Sequence, residues 1–189
     1  VKHPQGWHFH EGEGLIPDYV NGATHVHEIY TKAEPNYSGR VTVPAIWDRE
    51  METIVNNESS EIIRMFNSAF DQLGASGPDL YPEALRTEID AVNERIYHNV
   101  NNGVYRAGFA TSQAAYDDAV YPLFETLDWL EGRLATTRYL LGENLTEADW
   151  RLFPTLLRFD LAYYGNFKCN LRRIQDYPNL WGYTRELYQ

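Results

Sequence analysis

Hydrophobic positions change their spacing once along the chain. Before about residue 50, Gly and Pro interrupt every apolar run, and the β-prone stretches His25 to Tyr30 and Arg40 to Ile46 predict loops and strands. From Ser59 onward apolar residues recur at intervals of three and four, the period of helices with one buried face. Ile62, Ile63, Phe66, Ala69, Phe70 and Leu73 form the first stripe, with capping chemistry in Glu58-Ser59-Ser60-Glu61. A second helix opens at Pro82, carries Leu85, Ile89, Val92 and Ile96, and ends at Asn101-Asn102-Gly103. Thr111 caps a third, with Tyr116, Val120, Leu123, Leu127, Leu130 and Leu134 on one face and Pro122 set to kink it or remove a hydrogen bond. Thr146-Glu147-Ala148-Asp149 reads as a capping box before Trp150 and Leu152, with Asp in the usual place of Glu. A last helix begins near Pro178 and carries Leu180, Tyr183 and Leu187.

This pattern predicts a short mixed α/β head followed by a body of about five helices, with the boundary between Gly74 and Asp79. The composition narrows the functions such a chain can have. With 27 acidic against 16 basic residues and a net charge of -11, a duplex or an anionic membrane is repelled, so no nucleic-acid or membrane partner is expected. One cysteine, Cys169, excludes an intrachain disulfide framework, and no apolar run reaches membrane-spanning length, which points to the cytoplasm. The opening VKHPQGWHFH has neither the basic start nor the apolar stretch of a signal peptide, and it does not begin with Met. His8 and His10, and His25 and His27, alternate as strand neighbours do, but their spacings match no zinc pattern and no metal is expected. Asp117-Asp118 suits a solvated helix surface, and no phosphate loop or nucleophile elbow is present.

The remaining candidates lie in a few motifs. In Arg40-Val41-Thr42-Val43-Pro44, the residue before proline is driven toward extended geometry; with a cis Val43-Pro44 bond, the Val43 backbone faces outward and can pair with an extended peptide. Helix N-termini present unpaired N–H groups, so Ser59 can hold a carboxylate and Glu58 an ammonium, although a plain helix cap explains both residues equally well. Asn101-Asn102-Gly103-Val104-Tyr105-Arg106-Ala107-Gly108-Phe109-Ala110 follows. Further on come Arg158-Phe159-Asp160, Tyr163-Tyr164-Gly165, Phe167-Lys168-Cys169-Asn170 and Tyr177-Pro178-Asn179-Leu180. Together with Gly6-Trp7, these motifs resemble the glutathionyl-hydroquinone reductases, or xi-class glutathione transferases, from Trp7 to the end of the chain.

The resemblance implies a partial thioredoxin-like α/β domain at 1–74 that binds glutathione, followed by an all-α glutathione-transferase C-terminal domain at 75–189. It implies reduction of glutathionyl-hydroquinones to hydroquinones with glutathione as co-substrate and oxidised glutathione as product, and a homodimer. Trp7, Arg40, Val41, Thr42, Val43, Glu58 and Ser59 match the glutathione subsite. Tyr105 matches a tyrosine that exchanges a proton with the hydroquinone; Tyr163 matches one that stabilises the catalytic thiolate, with Tyr164 as the alternative. Read from the residues alone, Tyr105 and Tyr163 serve equally as core tyrosines, and Trp7 as plain core. The family's nucleophile sits in a Cys-Pro-Trp type motif upstream of Gly6-Trp7, and its chains continue into a tail with another active-site tyrosine. Neither has a counterpart in this sequence, so impaired turnover is expected. Cys169 is expected to be a small buried hydrophobe rather than a substitute nucleophile. A conventional transferase that conjugates electrophiles, and a non-catalytic module that binds glutathione or aromatics, are the alternatives.

Overall fold

The stretch His25 to Tyr30, expected as a strand, is helical. In a computed structural model that describes Lys2, His3 and residues 6–189, α1 spans Val26–Ala33. Val26, Ile29 and Tyr30 are buried at intervals of three and one, a helical face that the β-branched residues disguise. A capping box between His25 and Glu28 starts the helix. The expectation that the opening is no signal peptide falls partly on Val1, Pro4 and Gln5, which lie outside the described residues.

The chain divides into a unit of residues 1–76 and a unit of residues 77–189. In the first, β1 (Lys2–His3) pairs antiparallel with β2 (Gly6–Trp7), and β3 (Ile46–Asp48) with β4 (Thr53–Asn56). The second expected strand, Arg40 to Ile46, is loop until its last residue; its proline cannot donate to a ladder. α2, Ser59–Ser68, starts at Glu58, whose carboxylate accepts from the Ser60 amide at 3.2 Å. The apolar stripe read from Ile62 to Leu73 outruns this helix. Phe70 and Leu73 fall in a short turn that Gly74 ends at φ 89°, and of the whole stripe only Ile62 is buried.

The helical unit has α3 (Arg86–Ile96), α4 (Gly103–Phe109), α5 (Gln113–Leu134), α6 (Glu147–Arg158), the short α7 (Tyr164–Asn166) and α8 (Pro178–Tyr188). α5 runs unbroken through Pro122, and its cap is Ser112 rather than Thr111, with Ser112 Oγ accepting from the Ala115 amide. Leu123, Leu127 and Leu130 on α5 are fully buried, each stabilising the core by about 1.5–3 kcal/mol. Asn101-Asn102-Gly103 does not stop the second helix. A π turn at Tyr97–Asn101 carries the chain into α4, whose first residue is the buried Gly103, so this glycine continues the helical path instead of terminating it. The Thr146 box forms as expected, and Asp149, fully buried, also accepts from the Leu140 amide and the Tyr183 hydroxyl. Architecturally this is a partial thioredoxin-like unit and a glutathione-transferase helical unit. Among the described residues, no helix is long and apolar enough to cross a membrane.

Candidate active site

In the first unit the expected glutathione residues are joined by a side chain that the motifs do not include. Tyr30, 2% exposed, donates its hydroxyl to the Thr42 carbonyl at 2.8 Å and accepts from Asn57 Nδ2 at 3.1 Å. One phenol thus ties the Arg40 to Val43 stretch to the residue just before Glu58 and Ser59. The signal was present in the sequence, as Val26, Ile29, Tyr30 and Ala33 follow the helical period. The Val43-Pro44 bond is cis, and Val43 is exposed. Trp7, also exposed, lines with Val43, His8, His10 and Val26 a cavity of about 330 Å³. Trp7 is therefore not plain core. Glu58 and Ser59 stand exposed at the N-terminus of α2, where the first amides of the helix carry a partial positive charge.

The imidazoles of His8, His10, His25 and His27 pack together, with ring centroids 4.8 Å apart for His8 and His25. Among the described residues no group of three or more His, Cys, Asp or Glu side chains could hold a metal.

In the helical unit Tyr105 and Tyr163 come together although they lie 58 residues apart, their hydroxyl oxygens 3.1 Å from each other. Both follow from departures from α geometry. Tyr105 sits on α4, just past the π turn at Tyr97–Asn101, and Tyr163 ends a second π turn at Phe159–Tyr163. Tyr163 is 4% exposed and Tyr105 41%, so the pair has one closed and one open side. The hydrogen bond with Tyr163, then burial, raises the pKa of Tyr105 above that of a free phenol, while the charge of Arg158 pulls the other way. At neutral pH Tyr105 is consequently a neutral donor. Tyr164 points to different company, with the Arg173 guanidinium 4.9 Å above its ring.

Cys169 is fully buried, its Sγ directed at the carbonyls of Val104 and Phe167. Burial pushes its thiol up to about 12, with the charge of Lys168 opposing weakly. A thiol held protonated in a dry core is neither a nucleophile nor a leaving group at neutral pH.

Residues 113–186 match the family model "Glutathione S-transferase, C-terminal domain". Over 93% of its length the chain is 59% identical to the glutathionyl-hydroquinone reductase PcpF of Sphingobium chlorophenolicum, covering 56% of that protein. Over 97% of its length it is 55% identical to the glutathionyl-hydroquinone reductase YqjG of Escherichia coli, again covering 56%. The glutathione-bound structure of YqjG superposes with a TM-score of 0.96 over 97% of this chain and 60% of that one. The xi glutathione transferase of Phanerochaete chrysosporium, 53% identical, superposes with a TM-score of 0.95 over 99% of this chain and 65% of that one. The chain thus spans between about half and two thirds of the length of these relatives. With identities this high along nearly all of its own length, and residues 113–186 of the helical unit matching the transferase C-terminal domain, the chain belongs to the glutathionyl-hydroquinone reductases, the xi-class glutathione transferases.

Proposed function

We propose that this chain serves the glutathione-dependent reduction of glutathionyl-hydroquinones, with turnover impaired because its one cysteine, Cys169, is buried and held protonated. In that reaction a sulfur nucleophile attacks the thioether sulfur, the ring carbon takes a proton as its C–S bond breaks, and a glutathione thiol completes oxidised glutathione. The ring carbon is reduced and the sulfurs are oxidised to a disulfide, so no further redox partner is needed. The observation that carries the reading is the Tyr105–Tyr163 hydroxyl pair at 3.1 Å, in a chain 59% identical to a glutathionyl-hydroquinone reductase. Tyr105, a neutral phenol on the open side, is assigned as proton donor to the hydroquinone. Tyr163, on the closed side, donates toward the reacting sulfur.

Glutathione is assigned to the first unit. The exposed Val43 backbone beside its cis proline pairs with the extended tripeptide, Trp7 covers it, and Arg40, Val41 and Thr42 line its length. Ser59 with the first amides of α2 takes the γ-glutamyl carboxylate, and Glu58 the ammonium. A homodimer in the cytoplasm completes the reading.

The test is chromatography of hydroquinone released from a glutathionyl-hydroquinone by glutathione, with this chain beside Tyr105→Phe. Release that falls on the order of a hundredfold in the variant supports the assignment. Equal rates remove Tyr105 from the mechanism. Conjugation of chlorodinitrobenzene without hydroquinone release would make the chain a conventional transferase, and thermal stabilisation by glutathione with no turnover would make it a binding module.

A further inference from the structure

Behind the tyrosine pair stands a third ring that the proposed chemistry leaves unused. The Phe167 centroid lies 5.5 Å from Tyr105 at 89° and 5.3 Å from Tyr163 at 79°, edge to face with both, while the two tyrosine rings meet each other at 5.7 Å and 75°. Three mutually perpendicular contacts fix each tyrosine ring in tilt as well as position. Phe167 occupies its place only because residue 108 has no side chain. A Cβ built there falls 2.1 Å from Phe167 Cδ1, 2.7 Å from Cγ and 2.9 Å from Cβ. The clash reaches the root of the side chain, and rotating the ring does not relieve it.

The segment carrying Phe167 is fastened on both sides. Lys168, in the left-handed region at φ 59°, donates Nζ to the Gly108 carbonyl at 3.0 Å and accepts the Tyr116 hydroxyl on its own carbonyl at 2.6 Å. The Cys169 amide donates to the Tyr163 carbonyl at 3.1 Å. A non-glycine residue held at positive φ by contacts on each side marks a place where the surroundings overrule local preference. The Lys168 contacts join α4 and α5 to the stretch after Tyr163, and the Cys169 amide ties that stretch back to Tyr163 itself.

We propose that Phe167 is a positioning residue, seated in the notch at Gly108 and latched by Lys168, that sets the separation of the Tyr105 and Tyr163 hydroxyls. The catalytic part of this inference rests on the function proposed above; the geometric part does not. Hydroxyl placement matters at this scale, because a shift of about 1 Å can cost on the order of a hundredfold in rate.

The chain labelled with ¹³Cζ-tyrosine, beside Gly108→Ala, Phe167→Leu and Phe167→Tyr, tests the two parts separately. At neutral pH the Cζ resonances of Tyr105 and Tyr163, assigned by single Phe substitutions, report their hydrogen bonding. They are expected to move in Gly108→Ala and Phe167→Leu and to stay within a small shift in Phe167→Tyr, which keeps the ring. The Tyr177 and Tyr183 resonances stay in all three. In the hydroquinone-release assay the first two variants are expected to lose about tenfold in kcat with KM for glutathione within about twofold, and Phe167→Tyr to restore kcat. Unmoved Tyr105 and Tyr163 resonances in a folded Phe167→Leu protein overturn the proposal, whatever becomes of Gly108→Ala. Moved resonances in a chain that releases no hydroquinone uphold the positioning and reject the reductase reading instead.

Discussion

Acidic side chains work at different ranges in the two units. In the first, Asp18 accepts from the amides of Val20, Asn21 and Ala23, Asp48 from those of Glu50 and Met51, and Glu28 from Thr24 and His25. Every one of these partners is within five residues. In the helical unit, Glu131 takes the amides of Asn179 and Leu180 at the start of α8, Asp160 those of Ile174 and Gln175, and Asp149 the Tyr183 hydroxyl. Carboxylates on backbone amides shape turns in the first unit, where Glu52 reaches further to the Lys32 ammonium, and the helical unit adds carboxylates that pin distant segments. A net charge of -11 is therefore not merely a solvated coat, since part of it replaces water as the acceptor for buried donors.

Removing one acid from each unit should separate these roles most widely. Asp149→Ala leaves the Leu140 amide, the Thr146 amide and hydroxyl and the Tyr183 hydroxyl without their acceptor inside the core, and is expected to cost about 3–5 kcal/mol in urea unfolding. Asp48→Ala, whose amides can turn to water, should cost less than about 1 kcal/mol. Equal losses would break the comparison.

Cys169 sharpens it through kinetics. Its thiol ionises only near 12 in the fold, against an ordinary value near 9, so native protein at pH 8 should react with iodoacetamide on the order of a thousandfold more slowly than urea-unfolded protein. The appearance of reactivity with urea should follow the helical unit and shift to lower urea in Asp149→Ala. Prompt alkylation of the native chain would show that this core is open.

The smallest effect belongs to Glu28. The Thr24 hydroxyl at 2.6 Å, more than any other contact, holds its carboxyl down at about 2 from an ordinary 4.5. A carboxyl lowered in the fold stabilises above the unfolded value, and that contribution disappears as pH falls from 4.5 through about 2. Thr24→Val should raise the Glu28 titration midpoint, read by carboxyl-carbon NMR, with little change in stability at pH 7 because the side chain is 41% exposed. A midpoint that stays near 2 would assign the effect to the backbone amides of Thr24 and His25.

Much of this was legible in the residues. The stripe on α5, the Thr146 box and Pro178 at the head of α8 depend on neighbours within one or two turns, and the sequence displays such neighbours directly. The family motifs named Tyr105 and Tyr163, whose hydroxyls meet, but the ring and the glycine notch behind them are long-range packing that no spacing reveals. α1 was misread because Val26 and Ile29 favour strands when isolated, and burial against the rest of the unit overrides that preference. Tyr30 was missed with it. Asn-Asn-Gly normally stops a helix, but here a π turn carries the chain through it and Gly103 opens α4, so the second helix does not end where the residues suggest.

The π turn at Tyr97–Asn101 also bears on how the chain can change over generations. Such a turn holds one residue more than a regular helix needs. Losing that residue would leave a smooth helix with better hydrogen bonds, yet it would rotate everything after it by about 100° and swing Tyr105 away from Tyr163. Selection on helix regularity and selection on the tyrosine pair therefore pull in opposite directions at this point. A descendant that no longer used the pair would be free to drop the residue, so the length of this one segment, compared between relatives, records whether the pair is still in use.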